Sequence, residues 1–298
     1  VNLERKNQAM GLQKIVTAFF SATGNTEKVV KILAEHAVRR LQLPLETYDF
    51  TAHKNQGNRI SVNENTLLLL GMPVYAGRIP NKILPTVQAM FCGSNSPMMA
   101  VVTYGNRGYD NALRELCEIS RQNGFCVCGA AAVPSRHAFT DALALGKPDE
   151  NDIHQLRRSM DQVIDIILQK KEQPWVDEII HVPGKWPLDS YYVPLDVQGK
   201  PANFLKAKPK TRTEDCTLCG LCAEKCPMGS IQIKDTVHTE GICIKCQACI
   251  RYCPKRARYM DDSAFLSHVE MLEQNYKETK QPEFFYQGGE KHGFYVIK

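Results

Sequence analysis

Over the first half of the chain, short apolar runs of strand length alternate with stretches of helical periodicity, and the alternation then stops. Lys14 to Phe20 is the first run, and a helical pattern follows it to about Leu41. Leu45 to Phe50, Thr66 to Leu70, Met98 to Thr103 and Phe125 to Val133 are further apolar runs. Helical patterns cover about Pro80 to Met90, the stretch up to Gln122, and Asp149 to Lys171. Strand and helix in turn predict a doubly wound, five-stranded parallel sheet with helices on both faces, an α/β domain over residues 14–172. The polar, aperiodic residues 1–13 are expected to be a disordered leader, with Met10 as a candidate native start.

Residues 173–207 change character. Six prolines fall between Gln173 and Lys210 without sustained periodicity, which marks an inter-domain connection. Trp175, Trp186, Tyr191 and Tyr192 all lie there, so the connection is expected to pack on a domain, with a partner-docking strip as the alternative. At the far end, residues 263–298 begin with a helix whose Phe265, Leu266, Val269, Leu272 and Tyr276 share one face, with Ser263 as its cap. Residues 282–298 carry five aromatics around Gly288, Gly289 and Gly293 and are expected to form a hairpin.

Between these lies the most specific pattern of the chain. Cys216, Cys219, Cys222 and Cys226-Pro227 repeat as Cys243, Cys246, Cys249 and Cys253-Pro254, each reading C-x2-C-x2-C-x3-C-P. That spacing wraps three thiolates around one cubane while the fourth serves the other cluster. One 4Fe-4S cluster then takes Cys216, Cys219, Cys222 and Cys253; the other takes Cys243, Cys246, Cys249 and Cys226. Paired zinc sites and a disulfide framework are the competing readings, and neither needs a three-plus-one crossover. The repeat, which carries Cys216 onto Cys243, resembles the bacterial two-cluster ferredoxins over residues 208–262. The resemblance implies a small pseudo-symmetric α+β domain with two 4Fe-4S clusters, too poor in apolar surface to fold without them.

Composition narrows the class. The chain has 298 residues, 43% of them hydrophobic, enough for two cores, and no run of 18 apolar residues that would span a membrane. Eight of twelve cysteines act as thiolate ligands, which points to a reducing, cytoplasmic, oxygen-poor setting. Cys92, Cys117, Cys126 and Cys128 are left to be buried small hydrophobes. The formal charge of +5 invites a nucleic-acid reading, but it counts the apoprotein. Clusters and a flavin phosphate at about −2 each would bring it near neutrality, and no DNA-reading motif is present. Residues 201–260 hold 11 Lys or Arg against 5 Asp or Glu. Lys245, Arg251, Lys255, Arg256 and Arg258 are expected to offset cluster charge or to present a docking face to an acidic partner.

The loop after the first strand reads Ser21-Ala22-Thr23-Gly24-Asn25-Thr26 and opens a helix. It lacks the Lys of a Walker motif and the glycines of a dinucleotide fingerprint. Backbone N–H groups at a helix N-terminus, with the Ser21, Thr23 and Thr26 hydroxyls, suit a terminal phosphate monoester, though a capped helix without a ligand has the same pattern. The loop resembles that of the flavodoxins, which holds the phosphate of FMN. Pro73-Val74-Tyr75-Ala76-Gly77 and Thr103-Tyr104-Gly105-Asn106-Arg107-Gly108-Tyr109 then match, by position, the two flavodoxin loops that sandwich the isoalloxazine ring. Tyr75 and Tyr104 are the candidate ring contacts, Tyr109 a second choice. By the same resemblance, a peptide near Ala76-Gly77 turns toward flavin N5 on one-electron reduction. Arg107 departs from the acidic surroundings usual in flavodoxins and is expected to stabilise the anionic reduced flavin.

The two halves together resemble the fused flavodoxin–ferredoxin proteins of anaerobes. That implies an electron carrier joining one-electron iron–sulfur centres to FMN, with redox proteins as partners. The alternative is an FMN-dependent reductase of a small molecule that uses the clusters as a wire, with His137 of Pro134-Ser135-Arg136-His137 as a proton donor. An oxygen-labile redox sensor is the third reading. Transfer between FMN and a cluster within one chain, or across a homodimer, stays open at this level.

Overall fold

The computed structural model describes residues 11–169 and 179–288. The first element is β1 (Lys14–Phe19), followed by α1 (Asn25–Leu41), β2 (Leu45–Asp49), β3 (Ile60–Val62) and β4 (Thr66–Pro73). Next come α2 (Leu84–Met90), β5 (Phe91–Gly93), β6 (Ser96–Tyr104), α3 (Ala112–Gln122), β7 (Phe125–Pro134) and α4 (Glu150–Gln169). After the connection come β8 (Lys210–Thr211), α5 (Leu221–Glu224), α6 (Ala248–Arg251), β9 (Arg258–Tyr259), α7 (Ser263–Asn275) and β10 (Glu283–Tyr286).

The main sheet has the order β2-β1-β4-β6-β7-β10. Its first five strands are mutually parallel and, counted along the chain, run 2-1-3-4-5, the flavodoxin-like order. The near-continuous apolar runs follow from this placement, because alternate residues of a central strand feed opposite cores. In β4, Leu67 and Leu69 join Phe19, Val30 and Leu33 on one face, while Leu68, Leu70 and Met72 join Met98 and Val102 on the other. Each of these leucines is at most 2% exposed, and complete burial of such a side chain contributes about 1.5–3 kcal/mol. Val29, Leu33, Ala37 and Leu41 form the buried stripe of α1, which packs with Leu156, Met160, Val163 and Ile164 of α4.

The cluster domain is seated on the opposite face. Cys246 and Ala248 belong to the same apolar cluster as Leu68 and Met72, with Met228, Ile244 and Tyr252 packed against it. Polar ties reinforce the seam. Gln56 Nε2 donates to Pro227 O at 2.9 Å, and Arg251 donates to the carbonyls of His137 and Ala138, both at 3.1 Å. Among the described residues no helix is long and apolar enough to cross a membrane.

The five expected strands are all present, with β4 running on to Pro73, but the sheet does not end there. β10, from the segment read as a hairpin, pairs antiparallel with β7, Phe284 opposite Ala131. A short aromatic run with one buried face can cover an open sheet edge as readily as it can fold on itself. The remainder of that tail, residues 289–298, lies outside the described residues. β3 and β5 form a small parallel pair that the alternation did not reveal, since each has three residues. The helix expected from Pro80 begins at Leu84, after a turn. Of the expected leader, residues 1–10 lie outside the described part, while Leu12 is 5% exposed and Gln13 N–H donates to Asn65 O.

The connection is packed where it is described. Ile180 and Val182 join the core, Tyr192 N–H donates to Ala76 O, and Tyr191 OH donates to Ile79 O. Trp186 departs from that expectation, being 47% exposed, and Trp175 lies outside the described residues. Cys117, Cys126 and Cys128 are buried, and burial pushes the Cys117 thiol up to about 12, as suits a small hydrophobe.

Phe284→Ala should destabilise the first domain by about 3 kcal/mol, because its ring fills the core under β7. Denaturant unfolding would show it; an unchanged midpoint would mean that β10 is not docked.

Candidate functional site

Each cysteine run folds into a one-turn helix flanked by residues in left-handed conformation, and the repeat holds at the level of backbone angles. Leu218, Gly220 and Gly229 have φ of 55°, 79° and 61°. Their counterparts in the second run, Lys245, Gln247 and Arg256, have 56°, 64° and 52°. Two of the three counterpart pairs thus replace glycine by a larger residue at a cost in strain. The amide of Ser230 donates to Cys226 Sγ at 3.4 Å, and that of Ala257 to Cys253 Sγ at 3.3 Å.

The thiols gather in two cavities. One is lined by Cys216, Cys219, Cys222 and Cys253, the other by Cys226, Cys243, Cys246 and Cys249. This is the three-plus-one crossover expected from the spacing. Among the described residues no three or more His, Cys, Asp or Glu side chains converge as they would on a single metal ion. None of these thiols is in a disulfide. Burial pushes the Cys249 thiol up to about 11 and that of Cys246 further.

Arg258 lies between the two cavities. It lines the first, and its Nη2 is 4.0 Å from Cys249 Sγ of the second. The side chain is 2% exposed and donates to Thr211 Oγ1, Thr236 O and Thr239 Oγ1 at 2.9, 2.9 and 2.5 Å. Of the five cations noted in the sequence, Arg258 offsets cluster charge from inside. Arg251 clasps the first domain, Lys245 donates to the carbonyls of Leu205 and Cys243, and only Lys255 and Arg256 are exposed.

A third cavity, of about 230 Å³, opens at the carboxyl ends of β1, β4 and β6. Ser21, Ala22, Thr23, Asn25 and Thr26 line one end; Pro73 to Gly77 and Thr103, Tyr104, Gly105, Arg107 and Gly108 line the middle. Among the described residues, three cationic side chains, Arg107, Arg136 and Lys245, face it, and no carboxylate does. At the first end, Gly24 (φ 85°) caps α1, whose leading N–H groups have no earlier helical acceptor. Ser21 Oγ accepts from Glu27 N–H at 3.0 Å and keeps its own hydrogen free, whereas the Thr26 hydroxyl is paired with Thr103 Oγ1 at 2.7 Å. An anion-binding helix terminus in a cavity without acidic lining fits a phosphorylated flavin.

The middle is shaped by a tight hairpin. Tyr75 N–H donates to Arg78 O and Arg78 N–H to Tyr75 O, with Ala76 and Gly77 both at positive φ (49° and 77°). A Cβ on Gly77 would fall 2.1 Å from Asp110 Oδ2. The Ala76 carbonyl, expected to be free to turn, accepts from Tyr192 N–H at 2.9 Å. Arg107 pairs with Asp110 and stacks at 4.0 Å over the Tyr192 ring.

Three of the candidate residues do not line this cavity. Gly24 serves as the helix cap. Asn106 is fully buried and clasps the tail, donating to the carbonyls of Tyr276 and Glu278 and accepting from Lys280 N–H. Tyr109 packs against Tyr104 and donates to Glu283 of β10 at 2.8 Å. Tail contacts of this kind are long-range, and loop composition carries no sign of them.

The far end of the cavity is built by segments that loop matching could not reach. Phe139 comes from the loop after β7, Tyr192 and Phe204 from the connection, Ile244 and Lys245 from the second cysteine run, and His268 and Leu272 from α7. His137 lines the cavity beside the middle loops, its ring so close that a Cβ on Gly105 would meet its Cδ2 at 2.2 Å. Burial first, then His268 and Arg251, lower its pKa to about 4. Burial therefore favours the neutral ring, which can act as a hydrogen-bond donor in the cavity.

A 4Fe-4S binding domain family matches residues 209–232. Ferredoxin-2 of Chlorobaculum tepidum is 32% identical over 50 residues, which cover 81% of that protein and 14% of this chain. The first domain supplies the flavodoxin strand order already described. Over its cysteine runs the chain belongs to the 4Fe-4S ferredoxin family, joined to a domain of flavodoxin-like fold. Of solved structures, an archaeal flavodoxin shares 13% identity at a TM-score of 0.35, over 54% of this fused chain and 100% of its own. Rubredoxin oxygen:oxidoreductase from Desulfovibrio gigas shares 16% at 0.38, over 57% of this chain and 39% of its own.

Two outcomes are expected. The His137 ring, followed by NMR, should stay neutral until pH falls to about 4; a midpoint near 6.5 would contradict its burial. Because the unfolded ring binds a proton below about 6.5 and the folded ring does not, His137 removes stability as pH falls from 6.5 toward 4. Arg258→Gln should lower the reduction potential of the cluster-loaded protein, since a buried cation favours the more negative reduced state; an unchanged potential would sink that role.

Proposed function

We propose that the chain is an electron-transfer protein that carries two 4Fe-4S clusters and one FMN and passes electrons between them within a single chain. The observation that carries this reading is the shared wall: Ile244 and Lys245, between the second-cluster ligands Cys243 and Cys246, line the cavity formed by the flavin loops. Tyr75 lines the same cavity, and its hydroxyl is held protonated by burial and by neighbouring Cys246 and Cys243. One stretch of backbone thus serves both cofactors. A clusters-to-flavin relay supplies one-electron steps on one side and one- or two-electron steps on the other.

The remaining residues suggest where partners dock. At the first cluster cavity Cys219 is exposed, and Leu218 and Ile233 beside it are 62% and 73% exposed. Lys255 and Arg256 add positive charge to that end. An exposed apolar spot rimmed by cations suits a transient acidic redox partner. The opposite cluster is screened by the first domain, so exchange with a partner protein occurs at the first cluster and the second relays to the flavin. A cytoplasmic setting follows from the thiolate chemistry. The alternative, a reductase of a small molecule, would draw its proton from Tyr75, Lys245 or His137, which line the same cavity.

Anaerobic purification should give about eight iron per chain and one FMN. In stopped flow with a one-electron donor, flavin reduction after cluster reduction should proceed at a rate independent of protein concentration. A rate proportional to protein concentration would replace the internal relay with transfer between chains. Eight iron without flavin would leave a ferredoxin with a docking domain.

A further inference from the structure

Two imidazoles that line the flavin cavity carry their protons on opposite ring atoms. His137 Nδ1 accepts the backbone N–H of Phe139 at 3.1 Å, so its hydrogen is on Nε2. His268 Nδ1 lies 2.8 Å from the carbonyl of Leu195, an oxygen that can only accept, so its hydrogen is on Nδ1 and its Nε2 is a bare lone pair. Both residues line the cavity, and neither Nε2 makes a hydrogen bond among the described residues. The rings flank Phe139, at centroid distances of 5.0 and 6.4 Å, and Phe204 braces His268 at 5.4 Å. Burial keeps both neutral, with Arg107 near each.

The pair therefore offers one fixed donor and one fixed acceptor, both uncharged, in the cavity that the anion-binding loop also lines. A carboxylate or an ammonium group would find only one of the two useful. A ring imide, with carbonyl and N–H side by side, uses both. The isoalloxazine ring ends in such an edge, O=C–N3(H)–C=O, and the anion-binding loop fixes the other end of the cofactor. We propose that His137 and His268 grip the pyrimidine edge of the flavin, His137 Nε2–H donating to a ring carbonyl and His268 Nε2 accepting the N3–H. This rests on the FMN reading given above. It makes α7, which follows the cluster domain, part of the flavin site, and His268 a residue that selects the cofactor by its hydrogen-bond pattern.

The test uses the full-length, cluster-loaded chain depleted of flavin, titrated anaerobically with FMN and with 3-methyl-FMN, which lacks the N3 hydrogen. Loss of that bond with a buried acceptor left unpaired should weaken binding about tenfold or more. In His268→Leu the two flavins should bind with nearly equal Kd, while His268→Gln, whose amide oxygen can accept, should keep the preference. His137→Leu should weaken both flavins alike and leave their ratio unchanged. Equal affinity of the wild-type chain for the two flavins would overturn the assignment, as would a preference that survives His268→Leu. A chain that binds neither flavin would overturn the FMN reading and this inference with it.

Discussion

The burial of Cys246 and Ala248 in the core that also holds Leu68 and Met72 is the contact on which the rest of the arrangement depends. A two-cluster domain has little apolar surface of its own, and here it borrows a face of the parallel sheet. The borrowed face is next to the strand ends where ligands of doubly wound sheets sit. Seating the second cysteine run there brings Ile244 and Lys245 to the cavity without any dedicated bridge. Packing energy and the wall shared by the two cavities are thus supplied by the same segment.

The seam also explains why ordinary polar groups take unusual partners. Arg251 could have remained a solvated cation, yet it donates to two carbonyls of the loop that carries His137. That loop is thereby held against Gly105, and the imidazole is pressed into a place where a charge would be costly. The tautomer of His137 is set by the amide of Phe139, just beyond it in the chain. Local backbone geometry, domain docking and the protonation state of one ring form a single chain of cause.

Much of this was legible in the sequence for identifiable reasons. Parallel strands buried on both faces read as apolar runs, so the five strands and their helices emerged from periodicity alone. The cysteine crossover was legible because thiolate spacing around a cubane is tightly limited. The loop after β1 and the two middle loops were placed by their resemblance to the flavodoxin loops at corresponding strand ends. What stayed hidden was non-local. Asn106 has the look of a loop residue aimed at a ligand, but its amide is spent on the carbonyls of Tyr276 and Glu278, far along the chain. Tyr109 was drawn off by Glu283 in the same manner. The pairing of β10 with β7 was not legible, because an aromatic run cannot say which edge it will cover. The His137 and His268 pairing needed two segments to meet, one before the cysteine runs and one after them.

β10 gives the chain an unusual order of assembly. Since it pairs with β7, everything between Ser135 and Pro282 is, in topological terms, one long excursion from a single sheet. The last strand emerges from the ribosome only after both cysteine runs have been made, and it can reach β7 only when the excursion has folded back on itself. Until then the β7 edge stands open, with its backbone groups unpaired. Closure of this edge therefore waits for synthesis of both cysteine runs, and a chain cut short before Glu283 would leave the edge exposed for misassembly.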